Sequence, residues 1–184
     1  MELGQQAQLR AEEAARIYAE IAERAFFKHT LDELRKVVGT KAAAVLVFRI
    51  VKTSMREAVE EVLPRGMVRD PLDAMMLCYK LFAAAGFPFE VEVVSDNTFR
   101  VAKCPHYRFT GRDPVACVAC AATKAGALEA LTGRSVAVVL EDGTRLGPRD
   151  AEIVVRRLTH MPSGDKYCTF KLELPREAGS KGEG

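Results

Sequence analysis

The sequence lacks the features that identify membrane, secreted and strongly charged proteins directly. No apolar run reaches the roughly 18 residues that a membrane span needs, and the charged opening of the chain has no apolar core of a signal peptide. The net charge is only +2, which argues against a nucleic-acid-binding protein that relies on charge alone. We therefore expect a cytoplasmic protein without a membrane span and without direct contact to nucleic acid.

What is present fits an ordinary globular protein. The chain has 184 residues, of which 48% are hydrophobic and 28% charged, and a chain of this length buries about 70% of the surface that it exposes when unfolded. Its five cysteines are an odd number. In a reducing compartment a grouped set of cysteines holds a metal more often than it forms disulfides.

The order of hydrophobic patterns predicts an α+β fold, with N-terminal helices packed on an antiparallel sheet and one helix between the strands. We expect one domain over residues 1–174, mainly helical over 1–86, with the sheet and its helix over 88–174, and a disordered polar tail over 175–184. Helical patterns cover residues 5–27, 31 onward, 42–51, 71–86 and 114–132. Strand patterns cover residues 89–94, 98–103, 135–140, 151–159 and 166–174.

Several helix starts and one ambiguous segment can be read from local residues. Thr30 and Glu33 form the pattern of a capping box, which would start a helix at Leu31. An acidic cap followed by proline marks two more starts, at Asp70-Pro71 and Asp113-Pro114. The segment 42–51 is apolar all round, so we interpret it as a buried helix, although its β-branched residues would also suit a strand.

The strongest chemical signal is a set of thiol and imidazole side chains in the second half of the chain. A Cys-Pro-His sequence and a Cys-x-x-Cys pair are followed some forty residues later by a histidine and a cysteine. These supply the soft ligands of a closed tetrahedral zinc site. The candidate ligands are Cys104, Cys117, Cys120, His160 and Cys168, with His106 as an alternate.

Local geometry favours convergence of these side chains. Cys117 and Cys120 would share one stripe in the first two turns of the 114–132 helix, where the helix N-terminus favours thiolates. A three-residue turn at residues 163–165 would place His160 and Cys168 on one face of the sheet, whereas a two-residue turn would place them on opposite faces.

Other interpretations of the same residues remain open. The cysteines could be inert core residues, Cys117 and Cys120 could form a redox pair, or an iron–sulfur cluster could replace zinc. We expect Cys78 to be a core residue and His29 to be a cap or surface residue. A catalytic zinc keeps an open position for water, and no acidic residue is placed as a general base, so a closed structural site is the preferred assignment.

The segment from Cys117 to Phe170, with Gly-Ala-Leu-Glu-Ala-Leu-Thr-Gly over residues 126–133 and the close Gly-Asp-Lys-Tyr-Cys-Thr-Phe over 164–170, resembles the 4-vinyl-reductase domain. NO-signalling proteins and subunits of the TRAPP trafficking complex have a similar layout. Phenol-sensing activators of this family hold a zinc ion. The resemblance implies that the positions of their zinc ligands correspond, by spacing, to Cys117, Arg157, His160 and Cys168. Arginine cannot bind the metal, so Cys120 or Cys104 would replace the acidic ligand of the family.

The resemblance implies a sensory protein that binds a hydrophobic or aromatic small molecule. Such a chain would act as a homodimer or through a regulatory protein partner, and Leu9, Ile17 and Ile21 form the candidate dimer stripe. The alternatives are an assembly subunit in which the metal is purely structural, and a reductase of a vinyl tetrapyrrole. Because no glycine fingerprint for a nicotinamide cofactor occurs, we expect binding rather than catalysis.

Overall fold

The computed structural model describes residues 29–174, together with the single positions 17, 21, 24 and 25. Most of the helix predicted over residues 5–27 and the whole tail over 175–184 therefore lie outside the described residues. Of the candidate dimer stripe, Ile17 and Ile21 are described and exposed. None of the helices in the described part of the chain is long and apolar enough to cross a membrane.

The described chain is a mixed α+β fold, as the sequence predicts. Its helices are α1 (Thr30–Val38), α2 (Thr40–Val62), α3 (Pro71–Ala84), the short α4 (Tyr107–Thr110) and α5 (Val118–Thr132). Its strands are β1 (Glu90–Ser95), β2 (Thr98–Lys103), β3 (Val136–Val139), β4 (Arg145–Leu146), β5 (Ile153–Thr159) and β6 (Cys168–Glu173), and a 3₁₀ turn covers Met161–Ser163.

The six strands form one sheet in the order β1-β2-β6-β5-β3-β4. All neighbouring pairs are antiparallel except β3 and β5, which are parallel. The prediction of a purely antiparallel sheet is therefore wrong for that pair. The reason lies in β4, a two-residue edge strand too short to give a sequence pattern: the chain reverses into β4 and then crosses back to enter β5 in the direction of β3.

Helix α5 is the central element of the core. It contacts α2, α3 and β3, and twelve of its fifteen residues are buried. Gly126 permits the closest approach, because a Cβ at that position would lie 2.3 Å from the carbonyl oxygen of Lys52 on α2. The two helices therefore pack backbone against backbone at this glycine.

The predicted helix at 71–86 begins as expected, and two other helix starts differ from the prediction. Asp70 accepts hydrogen bonds from the backbone N–H groups of Leu72 and Asp73 and caps α3. The capping box at Thr30 is wrong, because the residue before α1 is His29, which is itself in helical conformation and makes no side-chain cap bond. His29 is exposed.

Helix α5 begins at Val118, four residues later than predicted. The Asp113 carboxylate receives two hydrogen bonds from the Arg35 guanidinium, at 2.6 and 2.9 Å, and one from the backbone N–H of Val115. Residues 114–117 form turns rather than a helical turn. Asp113 therefore ties the entry of α5 to α1 instead of capping a helix that starts at Pro114.

The segment 42–51 is helical, as expected, but it is not buried all round. It is the first half of α2, and only one side of it packs on the core, through residues such as Val47 and Phe48. Val45, Leu46 and Ile50 are exposed. A long helix on the surface of the fold can bury only the face that meets α5, whatever its other faces carry.

Candidate metal centre

The five residues predicted as metal ligands line one small cavity between the sheet and the start of α5. Cys104 follows the end of β2, Cys117 precedes α5 and Cys120 lies in its first turn. His160 follows β5, and Cys168 is the first residue of β6. The alternate His106 does not line this cavity; its ring packs against those of Phe87 and Phe89.

Strand pairing explains how the sulfurs come together. β2 and β6 run antiparallel with Val101 opposite Cys168 and Phe99 opposite Phe170. Side chains at alternate positions share a face, so Cys168 lies on the buried face with Phe170. Cys104 lies three residues after Val101, where the pairing of β2 with β6 ends, at the same edge of the cavity.

A β-bulge rather than a tight turn brings His160 to the buried side. The pairing of β5 with β6 shifts register between Arg157 and Thr159, which inserts Leu158 as an extra, exposed residue. Without the bulge, Thr159 would follow Arg157 on the inner face. The predicted three-residue turn is wrong: residues 160–167 connect the strands and include the 3₁₀ turn.

His160 has one ring nitrogen fixed and the other free. Its ring is 1% exposed, and Nδ1 lies 2.8 Å from Glu141 Oε1 and 3.1 Å from Ser163 Oγ. Burial and the nearby Arg157 lower the pKa of His160, so the ring is neutral at neutral pH. Since a carboxylate only accepts, Nδ1 carries the proton. The buried Nε2 therefore has a lone pair, and among the residues that the structure describes it has no hydrogen-bond partner.

Glu141 organises this side of the cavity. Its other oxygen lies 2.5 Å from Nε of Arg157, which is 3% exposed. Burial works against ionisation of Glu141, but its own backbone N–H and Arg157 keep the pKa of the carboxyl below its usual value. A carboxylate that holds the far nitrogen of a histidine is the arrangement that orients metal-binding imidazoles in proteins.

Cys120 is paired with a buried ammonium group. Lys124 is 3% exposed, and its Nζ lies 2.8 Å from Cys120 Sγ and 4.7 Å from the centre of the Phe170 ring. The thiol of Cys104, followed by Lys124, lowers the pKa of Cys120 well below that of a free thiol. Cys104 itself has a raised pKa because of the same hydrogen bond and its burial. Cys104 is therefore the thiol that donates, and Cys120 the thiolate that accepts.

The other two cysteines are neutral thiols in this arrangement. Burial, then the charge of Cys120, raises the pKa of Cys117 to about 12. Burial also raises the pKa of Cys168, whose sulfur accepts a hydrogen bond from the backbone N–H of Met161 at 3.3 Å. Cys78 lies outside the cavity lining and is fully buried, as predicted for a core residue.

The size of the cavity limits what can enter it. The volume open to a water-sized sphere is about 20 Å³, which suits one water or one ion and is far below the roughly 300 Å³ at which small-molecule pockets begin. Within residues 29–174 and the four single positions, no group of three or more His, Cys, Asp or Glu side chains is disposed to hold a metal ion as it stands. Instead, Cys104 and Cys120 hydrogen-bond to one another, and Cys168 accepts a hydrogen bond from the backbone N–H of Met161.

Two residues of the site escaped the sequence reasoning. Lys124 carried a usable signal, because it is the one charged residue in the segment 118–128, which is otherwise apolar or small, and it lies one helical turn after Cys120. Glu141 carried none, since it belongs to a polar turn after β3 and meets His160 only through the sheet.

Comparison with known proteins adds no family assignment. Neither a protein-family model nor a curated protein matches this chain.

Proposed function

We propose that this chain is a zinc-containing ligand-binding domain of the 4-vinyl-reductase type. The observation that carries the metal part is the buried Nε2 of His160, which has no partner within the described part of the chain and lies at a cavity lined by four cysteines. An orphaned lone pair at such a place costs free energy that a metal ion would recover. Glu141 already fixes the tautomer that metal binding requires.

The ligand set we propose is His160, Cys117, Cys120 and Cys168. Three thiolates and a neutral imidazole around Zn²⁺ leave a net charge of −1, and the Lys124 ammonium beside Cys120 would balance it. Cys104 would remain a thiol that donates to Cys120. Binding would replace the bond between Met161 N–H and Cys168 and would release protons from Cys117 and Cys168.

Zinc fits this donor set better than an iron–sulfur cluster does. Tetrahedral sites of three cysteines and one histidine are typical of structural zinc, whereas a cluster held by the four cysteines would leave Nε2 of His160 without a partner. Bound zinc would join the end of β2, the start of α5 and the connection between β5 and β6. It would stabilise the end of the sheet at which the pairing of β6 with β2 and with β5 stops.

The sensory part of the proposal comes from the resemblance to the 4-vinyl-reductase domain. A hydrophobic or aromatic ligand does not fit the 20 Å³ beside the thiols, so it would need the cavity to open toward Phe89 and Tyr107, which also line it. Signalling would pass to a second copy or to a regulatory partner in the cytoplasm. If no such ligand binds, the metal is purely structural and the chain is an assembly subunit.

Elemental analysis of protein purified without added metal tests the site. We expect about one zinc per chain in the parent protein and a colourless solution. His160→Ala should lose the metal, whereas Cys104→Ser and the core control Cys78→Ala should keep it. Circular dichroism of each variant separates loss of metal from loss of fold.

Four outcomes would contradict parts of this assignment. Zinc retained in folded His160→Ala removes the proposed ligand set, and brown protein containing iron and sulfide removes zinc itself. Native mass spectrometry of the protein as purified checks the ligand: a bound hydrophobic compound supports a sensor, and its absence favours the assembly subunit. NAD(P)H-dependent reduction of a vinyl tetrapyrrole would instead indicate the reductase.

A second candidate function uses the same thiols without a metal. The hydrogen bond from Cys104 and the Lys124 ammonium at 2.8 Å favour the thiolate form of Cys120, and Cys104 is placed to resolve an oxidised intermediate. A hydroperoxide would oxidise Cys120 to a sulfenic acid and be reduced to water or an alcohol; attack by Cys104 would then form a disulfide and release water. The redox pair would thus be Cys104 and Cys120, not the Cys117 and Cys120 of the sequence. Loss of two titratable thiols in parent protein, and not in Cys104→Ser, after peroxide treatment would support it.

A further inference from the structure

We call the cavity lined by Cys104, Cys117, Cys120, His160 and Cys168 the thiol cavity. A second concave site lies on the surface between α2 and the β4 edge of the sheet, and none of its lining residues belongs to the thiol cavity. Its volume is about 570 Å³, which lies within the usual range of small-molecule sites. Helix α2 forms one wall, and residues 145–148 form the other. We call it the α2–β4 groove.

The groove carries an unbalanced positive charge. Its ionisable residues are Arg49, Lys52, Arg56, Arg145 and Glu129, so four cations face one anion. Lys52 and Glu129 neutralise one another, since Nζ lies 2.5 Å from Oε1 and both side chains are largely buried. Among the residues that the structure describes, three arginines remain without a carboxylate in the groove.

Two of these arginines, Arg49 and Arg56, would not have to break an existing interaction with a described residue in order to bind an anion. Within the part of the chain that the structure describes, neither Arg49 nor Arg56 makes an ion pair or a side-chain hydrogen bond. They are seven residues apart on α2, which places them two turns and about 10 Å apart along one side of the helix. Like charges at this spacing repel one another, and an anion between them would relieve that repulsion.

The third arginine is held in position by the backbone. Nε and Nη2 of Arg145 donate to the carbonyl oxygen of Pro148 at 3.3 and 2.9 Å, and Nη2 also donates to that of Arg149. Gly147 allows this loop to lie close against β3: its φ is +102°, and a Cβ there would approach Ala137 Cα to 3.0 Å. The guanidinium is thus oriented before any ligand arrives, with Nη1 left for binding.

The groove also has an apolar part. Phe48 and Leu146 lie at its base and are almost fully buried, while Val45 is exposed at its side. Arginine forks recognise phosphate and carboxylate oxygens bidentately, and the apolar base suits the body of an organic molecule. A long basic stripe, which a nucleic-acid backbone would require, is not part of this lining.

We propose that the α2–β4 groove binds a small organic anion carrying more than one negative charge, of the phosphate-ester class, through Arg49, Arg56 and Arg145. This differs from the hydrophobic ligand expected at the thiol cavity, and it does not require a metal. Calorimetric titration of the full chain with inorganic pyrophosphate and with adenosine 5′-diphosphate tests it.

We expect one site per chain for both probes, with tighter binding of the nucleotide because its base can pack on the apolar part. Arg56→Gln and Arg49→Gln should each weaken binding by about tenfold or more, and binding should fall as salt rises. The control is Arg69→Gln, an exposed arginine outside the groove, which should leave affinity unchanged.

The proposal is overturned if neither probe binds at millimolar concentration, or if the Arg49, Arg56 and Arg69 variants behave alike. Binding of single-stranded or duplex oligonucleotides without binding of either small probe would also overturn it, in favour of a nucleic-acid surface. Circular dichroism confirms that each arginine variant is folded, and zinc content measured on the same samples keeps this result separate from the metal assignment.

Discussion

The thiol cavity and the α2–β4 groove differ in how their charged side chains are paired and exposed to solvent. In the cavity, each charge is buried beside a partner: Lys124 beside Cys120, and Arg157 beside Glu141. In the groove, Arg49 is exposed and Arg56 is partly exposed, and neither has a partner in the described residues. Buried ions must be paired because desolvation is costly, whereas solvated ones can wait for a ligand. This difference is what we expect if, as proposed, the cavity holds a permanent ion and the groove an exchangeable anion.

Removing the metal should have the largest effect and should separate the two sites. If zinc is bound as proposed, a strong chelator should lower the free energy of unfolding by several kcal/mol, against about 10 or more in small domains that have little other core. Thermal unfolding with and without chelator measures this. Affinity of the groove for pyrophosphate should change less than about twofold, because the groove shares no residue with the cavity. An equal loss at both sites would mean that they are coupled.

Gly126→Val should damage both sites together. The new side chain would enter the space where α5 meets Lys52 and Met55 of α2, and α2 also carries Arg49 and Arg56. We expect a loss of about 3 kcal/mol or more in the free energy of unfolding, since the clash is with backbone that cannot yield. Chemical denaturation gives the value. A variant as stable as the parent would show that the two helices are not in close contact at this glycine.

Glu141→Gln should affect the cavity alone. The amide keeps the shape of the side chain but removes the charge that orients His160 and pairs with Arg157. Changes of this kind outside the ligand shell weaken metal binding by about 10- to 100-fold. Competition with a zinc-binding dye measures the change, and Glu152→Gln, which changes an exposed carboxylate just before β5, serves as the control. Unchanged zinc affinity would remove Glu141 from the site.

Asp113→Asn should give the smallest effect, and one that depends on pH. Arg35 holds the pKa of Asp113 below its ordinary value, so the pair stabilises the fold above the unfolded pKa of about 4, and that stability is lost as pH falls through the lower, folded value. Both side chains are partly exposed, so we expect about 1 kcal/mol or less at neutral pH. The difference in unfolding free energy between variant and parent should shrink toward zero in strong acid. A difference that is constant with pH would rule out an electrostatic origin.

Local sequence patterns predicted which helices and strands form. They predicted less well where these elements begin and end, and which of their residues are buried. Alternating residues identified β1, β2, β5 and β6, and an aspartate before proline identified the start of α3. The same Asp-Pro pattern failed at Asp113, because Arg35, which lies 78 residues earlier, takes the carboxylate that a helix cap would use. A two-residue strand such as β4 gives no recognisable sequence pattern. The parallel pairing of β3 with β5 that follows from it could therefore not be predicted.

The sequence alone determined which residues could bind a soft metal, because thiols and imidazoles are few and their grouping is visible in the chain. Only the tertiary structure decided how they are arranged. The bulge at Leu158 turns His160 inward. Glu141 fixes the tautomer of His160, and Lys124 lies beside Cys120 and favours its thiolate. The arginines of the groove were equally visible, yet nothing marked them as a set, since α2 and β4 are almost a hundred residues apart. Residue types and local secondary structure can be read from the sequence. The convergence and the burial of distant side chains arise only when the segments that carry them pack together.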